Sequence, residues 1–150
     1  MKVVLKLLIA MVLCATTPEY ALAGDPIAVI VNMKNPVSSL TNGDLRKIYG
    51  DRMLKWEDGM SITVYDLAVN DPVREEFSQI IFGLPSEKMA EMWAHLKITN
   101  QAKNPPINIK NEYTIIKMVS MDKGAIGYVS LNSIKGAEIQ GFKIVTTLQE

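Results

Sequence analysis

Five consecutive apolar residues, Ile27-Ala28-Val29-Ile30-Val31, restrict what this chain can fold into more than any other stretch. A strand with one wet face alternates apolar and polar side chains. A strand apolar at every position must be covered on both faces, which is the pattern that parallel sheets carry. The expected architecture is therefore α/β, a sheet with helices above and below it in a three-layer sandwich.

The chain supplies the other elements. Thr41 is placed to cap a short helix running to Tyr49, with Leu45, Ile48 and Tyr49 on one face and Gly50 as its stop. Ser61 to Tyr65 reads as a second strand, with Asp66 to Asn70 as the loop that follows. Asp71 is an N-cap and Pro72 suits the first helical position, where its missing N–H costs nothing. Phe77, Ile80 and Ile81 make that helix's inner stripe, and Gly83 ends it. Ser86 is read as the cap of a third helix, on which Met89, Met92, Trp93 and Leu96 recur at helical spacing. Asn100 to Asn108, with two prolines and no apolar period, reads as loop. Glu112 to Asp122 is expected as a helix with Ile115, Ile116, Val119 and Met118 inward. Ala125 to Val129 and Phe142 to Thr146 complete the strands.

The N-terminus points to export. Lys2 and Lys6 precede the apolar run Leu7–Cys14, and Ala21-Leu22-Ala23 has the small-x-small form of a signal-peptidase site. Residues 1–23 are expected to be a cleavable secretory signal and 24–150 a single periplasmic domain. The apolar run falls short of the ~20 residues that a spanning helix needs. Cys14 is the single cysteine and goes with the signal, so the mature chain offers no thiol, disulfide or thiolate ligand. Removing Lys2, Lys6 and Glu19 leaves 14 basic and 15 acidic residues. Without a basic surplus, no nucleic-acid partner is expected.

No catalytic constellation emerges, and the chain is not read as an enzyme. His95 is the one histidine, and no serine sits in a nucleophile-elbow sequence. The glycines match neither a dinucleotide nor a P-loop pattern, so no cofactor is expected. Asp51, Glu57 and Asp58 lack the alternation of a calcium loop and read as a solvated turn, so no metal site is expected. Trp56 and Trp93 read as packing anchors.

One junction has a functional geometry. Asp66, Asn70, Asp71 and Arg74 lie where a strand hands over to a helix. Such a turn presents free backbone N–H groups and the positive end of a helix dipole to a small anion. Arg74 can add a fork of donors to that anion, or it can pair with a neighbouring carboxylate.

Three stretches together resemble the phosphate ABC-transporter substrate-binding family, in particular its short, single-lobe members. These are Ile27–Asn32 with Asn35-Pro36-Val37, Leu40-Thr41 and Ile48-Tyr49-Gly50; Trp56-Glu57-Asp58-Gly59 with Ile62–Tyr65 and Arg74-Glu75-Glu76-Phe77; and Gly124-Ala125-Ile126-Gly127-Tyr128-Val129. The resemblance implies one lobe of a type II periplasmic binding protein. It also implies a small anion or other solute as ligand, and a membrane transporter as partner. Family members grip phosphate between two lobes, with an arginine near the strand end and a Ser-Gly-Thr turn at the helix start. Here that loop is degraded: the strand ends at Tyr65-Asp66, the helix opens Asp71-Pro72-Val73, and two carboxylates stand where a dianion would lie. Weak phosphate binding or none is the expectation. A solute would be held by the lobe alone or by a homodimer whose two copies form a cleft; the alternative is a ligand-free module that binds an envelope or membrane protein.

Overall fold

The computed structural model describes residues 24–150. The expected signal, with Cys14, lies outside the described residues. The elements run β1 (Ile27–Asn32), α1 (Asn42–Tyr49), β2 (Thr63–Leu67), α2 (Pro72–Phe82), α3 (Ser86–Ile98), β3 (Ile107–Ile109), α4 (Glu112–Met121), β4 (Ala125–Ser130), α5 (Leu131–Lys135) and β5 (Phe142–Leu148). Five strands form one sheet in the order β3-β2-β4-β1-β5.

β1 is buried along its whole length, as its composition demands. Its neighbours differ from the expected parallel ones: it pairs antiparallel with both β4 and β5. Burial on both faces follows from a place inside a covered sheet, whatever the direction of the neighbours. The parallel half of the sheet lies on the other side, where β2 pairs with β3 and with β4.

Two consecutive residues of β4 define the layers, because successive strand side chains point to opposite faces. Tyr128 stacks on Phe77 of α2, with ring centroids 3.9 Å apart and planes parallel to within 1°. Gly127 faces α4, so closely that a Cβ there would lie 2.5 Å from Ile115 Cγ2. α4 thus covers one face and the α1–α2 pair the other, the three-layer sandwich that the sequence implies.

Local signals account for most helix ends. Thr41 and Asp44 form a full capping box on α1, and Leu45, Ile48 and Tyr49 are buried. Asp71 accepts from Val73 N at 2.8 Å to start α2, and Gly83 ends it in the left-handed region at φ 66°. Trp56 is buried and donates its indole N–H to Gly124 O at 3.0 Å.

Several expectations need correction. β2 lies two residues later than predicted, because Ser61 is used in a bridge to Lys55. Asp66 is therefore a strand residue and not part of the loop. β3 and α5, of three and five residues, are too short to show a period in the sequence. Ser86 is the first residue of α3, and its cap position holds Pro85. Met92 is exposed, since α3 buries only a narrow stripe made by Ser86, Met89 and Trp93. Asp51 is no solvated turn residue: at φ 64° it is buried and accepts from Lys103 N and Asn104 N at 2.8 and 2.7 Å. It pins the loop that leads into β3.

Candidate functional site

The parallel strands end together at Leu67, Ile109 and the far end of β4, on the edge where α/β proteins place ligands. All four residues of the predicted anion site lie near this edge, but they do not converge. Asp66 and Arg74 meet in a buried ion pair, Nη2 to Oδ2 at 3.1 Å. Asp71 is turned into its own helix as the cap. Asn70 is exposed, and its side chain makes no hydrogen bond among the described residues.

Both terminal nitrogens of the Arg74 guanidinium are already engaged. Nη1 donates to Leu67 O at 2.7 Å and to Asn108 Oδ1 at 3.4 Å, and Nη2 faces Asp66. The residue is 5% exposed. Of the two uses that the sequence allowed for Arg74, the structure shows the pairing with a neighbouring carboxylate.

Asp66 is held from a second side. The hydroxyl of Tyr128 donates to Asp66 Oδ1. Burial pushes the Asp66 carboxyl above its ordinary value, against the pull of Arg74, the Tyr128 hydroxyl and the Leu67 backbone. Tyr128 is itself pushed well up, first by burial and then by the neighbouring Asp66 charge. Its ring is one of three packed together. Tyr49 lies edge-on to Phe77 at 4.8 Å and to Tyr128 at 5.7 Å. Tyr49 donates its hydroxyl to Tyr65 O at 3.0 Å, and burial raises its pKa as well. Between these rings and the ion pair a cavity of about 20 Å³ remains, room for about one water molecule. Sequence reasoning missed the part Tyr128 plays. The one available signal was its polar group in a strand otherwise made of small and aliphatic residues.

A second carboxylate closes the neighbouring helix start. Glu75 of α2 reaches the first residue of α3, accepting from Ser86 N at 2.9 Å and Ser86 Oγ at 2.7 Å. These bonds hold its carboxyl below the usual range. The N-termini of α2 and α3 flank one open hollow of about 390 Å³, which Asp71, Glu75 and Glu87 line. Each helix start is thus met by a carboxylate of this chain, Asp71 at α2 and Glu75 at α3. A dianion placed there meets acidic groups and no free cation.

A different groove, also of about 390 Å³, opens on the other side of the ion pair. α3 lines it with Ala94 and Lys97, the chain after β2 with Ala68 and Val69, and the β3 arm with Pro106 and Asn108.

A family model described as PBP superfamily domain matches residues 13–147. No curated protein matches. Among solved structures, the chain resembles an ABC-type phosphate transport receptor from Vibrio cholerae, with TM-score 0.62 and 18% identity over 81% of this chain and 46% of that one. It also resembles a phosphate ABC-transporter substrate-binding protein from Clostridium perfringens, solved with bound phosphate, with TM-score 0.62 and 21% identity over 81% of this chain and 44% of that one. PstS from Borrelia burgdorferi gives TM-score 0.64 and 16% identity, covering 81% and 47%. The chain spans less than half the length of these proteins, and identities this low carry the fold alone. Nearly the whole sequence matches the family model, and the three-layer sheet agrees with it: the chain belongs to the PBP superfamily domain family.

Proposed function

We propose that this chain is an exported, single-lobe solute-binding protein of the periplasm that has lost the phosphate site its relatives are named for. The observation that carries this reading is the occupation of the site by the chain's own charges. Arg74 is spent on Asp66 and Leu67 O, and the starts of α2 and α3 are met by Asp71 and Glu75. Burying a further dianion there would set like charges a few ångströms apart, at a cost on the order of 1–4 kcal/mol each. Binding, and not catalysis, suits an edge whose polar groups are paired with each other, and a membrane transporter is the partner that the family likeness supports.

The test is a thermal-shift screen of the purified protein against phosphate, sulfate, carboxylates and divalent cations. At least one small solute is expected to raise the melting temperature in a saturable way, and phosphate is expected to leave it unchanged. No shift from any solute at millimolar concentration would contradict the reading.

A second reading, the interaction module, draws on β5. This seven-residue outer strand pairs on one side only among the described residues and exposes Ile144. A free edge of this kind is a template for another strand, from an envelope protein or from a second copy of the chain. Sedimentation of the purified protein and cross-linking in cells separate the two: a dimer appears in both, and a foreign partner in cells alone. A monomer in both experiments would remove this reading.

A further inference from the structure

The groove between α3 and the β2–β3 edge differs from the acidic hollow in charge and in lining. The Lys97 side chain enters no ion pair or hydrogen bond among the described residues. Asn108 accepts from Arg74 through Oδ1, and its Nδ2 donates to none of the described residues. Because Asp66 and Arg74 neutralise each other, Lys97 leaves the lining with a single positive charge. One negative charge balances it; a second would face the carboxylate of Asp66 uncompensated.

The remaining lining is apolar. Ala94 sits one turn before Lys97 on the same face of α3. Opposite stand Val69, which is exposed, and Pro106. Ala90, Ala94 and the Trp93 ring on the helix, with Ala68, Val69 and Pro106 across from them, leave an apolar trough that hydrocarbon would fill and hydrated inorganic ions would not.

We infer that this groove binds a small monocarboxylate with an apolar body, its head group at Lys97 and Asn108 and its hydrocarbon between Ala94 and Val69. The inference rests on the solute-binding reading above and gives it a ligand class. Phosphate fits neither half of the groove, being too highly charged for the head and too hydrated for the trough.

Calorimetric titration with hexanoate and phenylacetate tests it. Saturable binding is expected for at least one of them, with hexanamide and phosphate silent or weaker by about tenfold or more. Lys97→Gln should weaken the carboxylate by about tenfold or more. Ala94→Leu, which fills the trough, should weaken carboxylate and amide alike. Both positions are exposed, and unchanged melting temperatures of the two variants confirm that the fold is kept. The inference is overturned if neither carboxylate binds, or if binding survives both substitutions unchanged. If the carboxylates are silent while another solute binds, this ligand class fails and the solute-binding reading stands. If no solute binds, both fail.

Discussion

Asp66 at the end of β2 and Arg74 in α2 close a 3.1 Å ion pair with side chains 9% and 6% exposed, and Tyr128 caps it from β4. The strand, the helix that follows it and a neighbouring strand are tied at one point. An arginine that the sequence leaves open to an anion or to a carboxylate is here paired with Asp66 as a bolt of the fold.

Removal of one partner therefore strands a buried charge. Arg74→Ala is expected to cost about 3–5 kcal/mol of unfolding free energy. Arg74→Met combined with Asp66→Asn should cost less than the two single changes summed, as a shared interaction requires. Urea denaturation of the five proteins, Arg74→Ala and the four of the cycle, checks both statements. Additive losses would show that the pair does not act as a unit.

Tyr128→Phe keeps the stack on Phe77 and deletes one hydroxyl. Asp66 loses its second donor and Leu67 N a weak 3.5 Å contact. The expected loss is about 1–3 kcal/mol, with little change in near-ultraviolet circular dichroism from the packed rings.

Gly127→Ala forces a methyl group against Ile115 of α4, where the Cβ contact would be 2.5 Å. Neither layer can retreat without opening the core, so a loss of about 1–3 kcal/mol is expected. Thermal melts check this. A neutral result would place α4 farther from β4 than the 2.5 Å approach to Ile115 Cγ2 implies.

Acid should act through Asp44 and Glu75. Hydrogen bonds to Thr41 hold the first below the ordinary carboxylate range, and bonds to Ser86 hold the second there. A depressed folded pKa gives stability that is complete above the unfolded value, about 4, and is lost as the pH falls through the folded one. Asp66 works in the opposite sense: its raised pKa favours the folded state at low pH and subtracts from stability as the pH rises through it. Melting temperatures of the protein and of Glu75→Gln should therefore differ at neutral pH and converge in acid.

The fold was readable wherever one physical demand dominated. The unbroken run Ile27–Val31 required cover on both faces, and Thr41, Asp71 and Gly83 marked helix ends through local hydrogen bonds and backbone geometry. Strand direction left no such mark: β1 is equally apolar whether its neighbours run parallel or antiparallel. The strand-to-helix junction was legible in location and not in wiring. Spacing placed Asp66 and Arg74 at one junction, but their pairing depends on Tyr128, Leu67 O and Asn108, which only the closed sheet brings together. Asp51 shows the same limit, since the backbone N–H groups it holds lie some fifty residues away in the chain.

Export is open to a direct check. The mature protein recovered from the cell envelope should have an intact mass that begins at Gly24, the residue after Ala21-Leu22-Ala23. A protein retaining its first residues would contradict the signal reading.

The central claim, that the phosphate site is filled by the chain's own charges, is tested most directly by phosphate titration of the ¹⁵N-labelled protein. The backbone amides of Val73 and Ser86 are the reporters. Unmoved resonances at millimolar phosphate are predicted, since Asp71 and Glu75 already accept from Val73 and Ser86. Saturable shifts at these two amides would contradict the account.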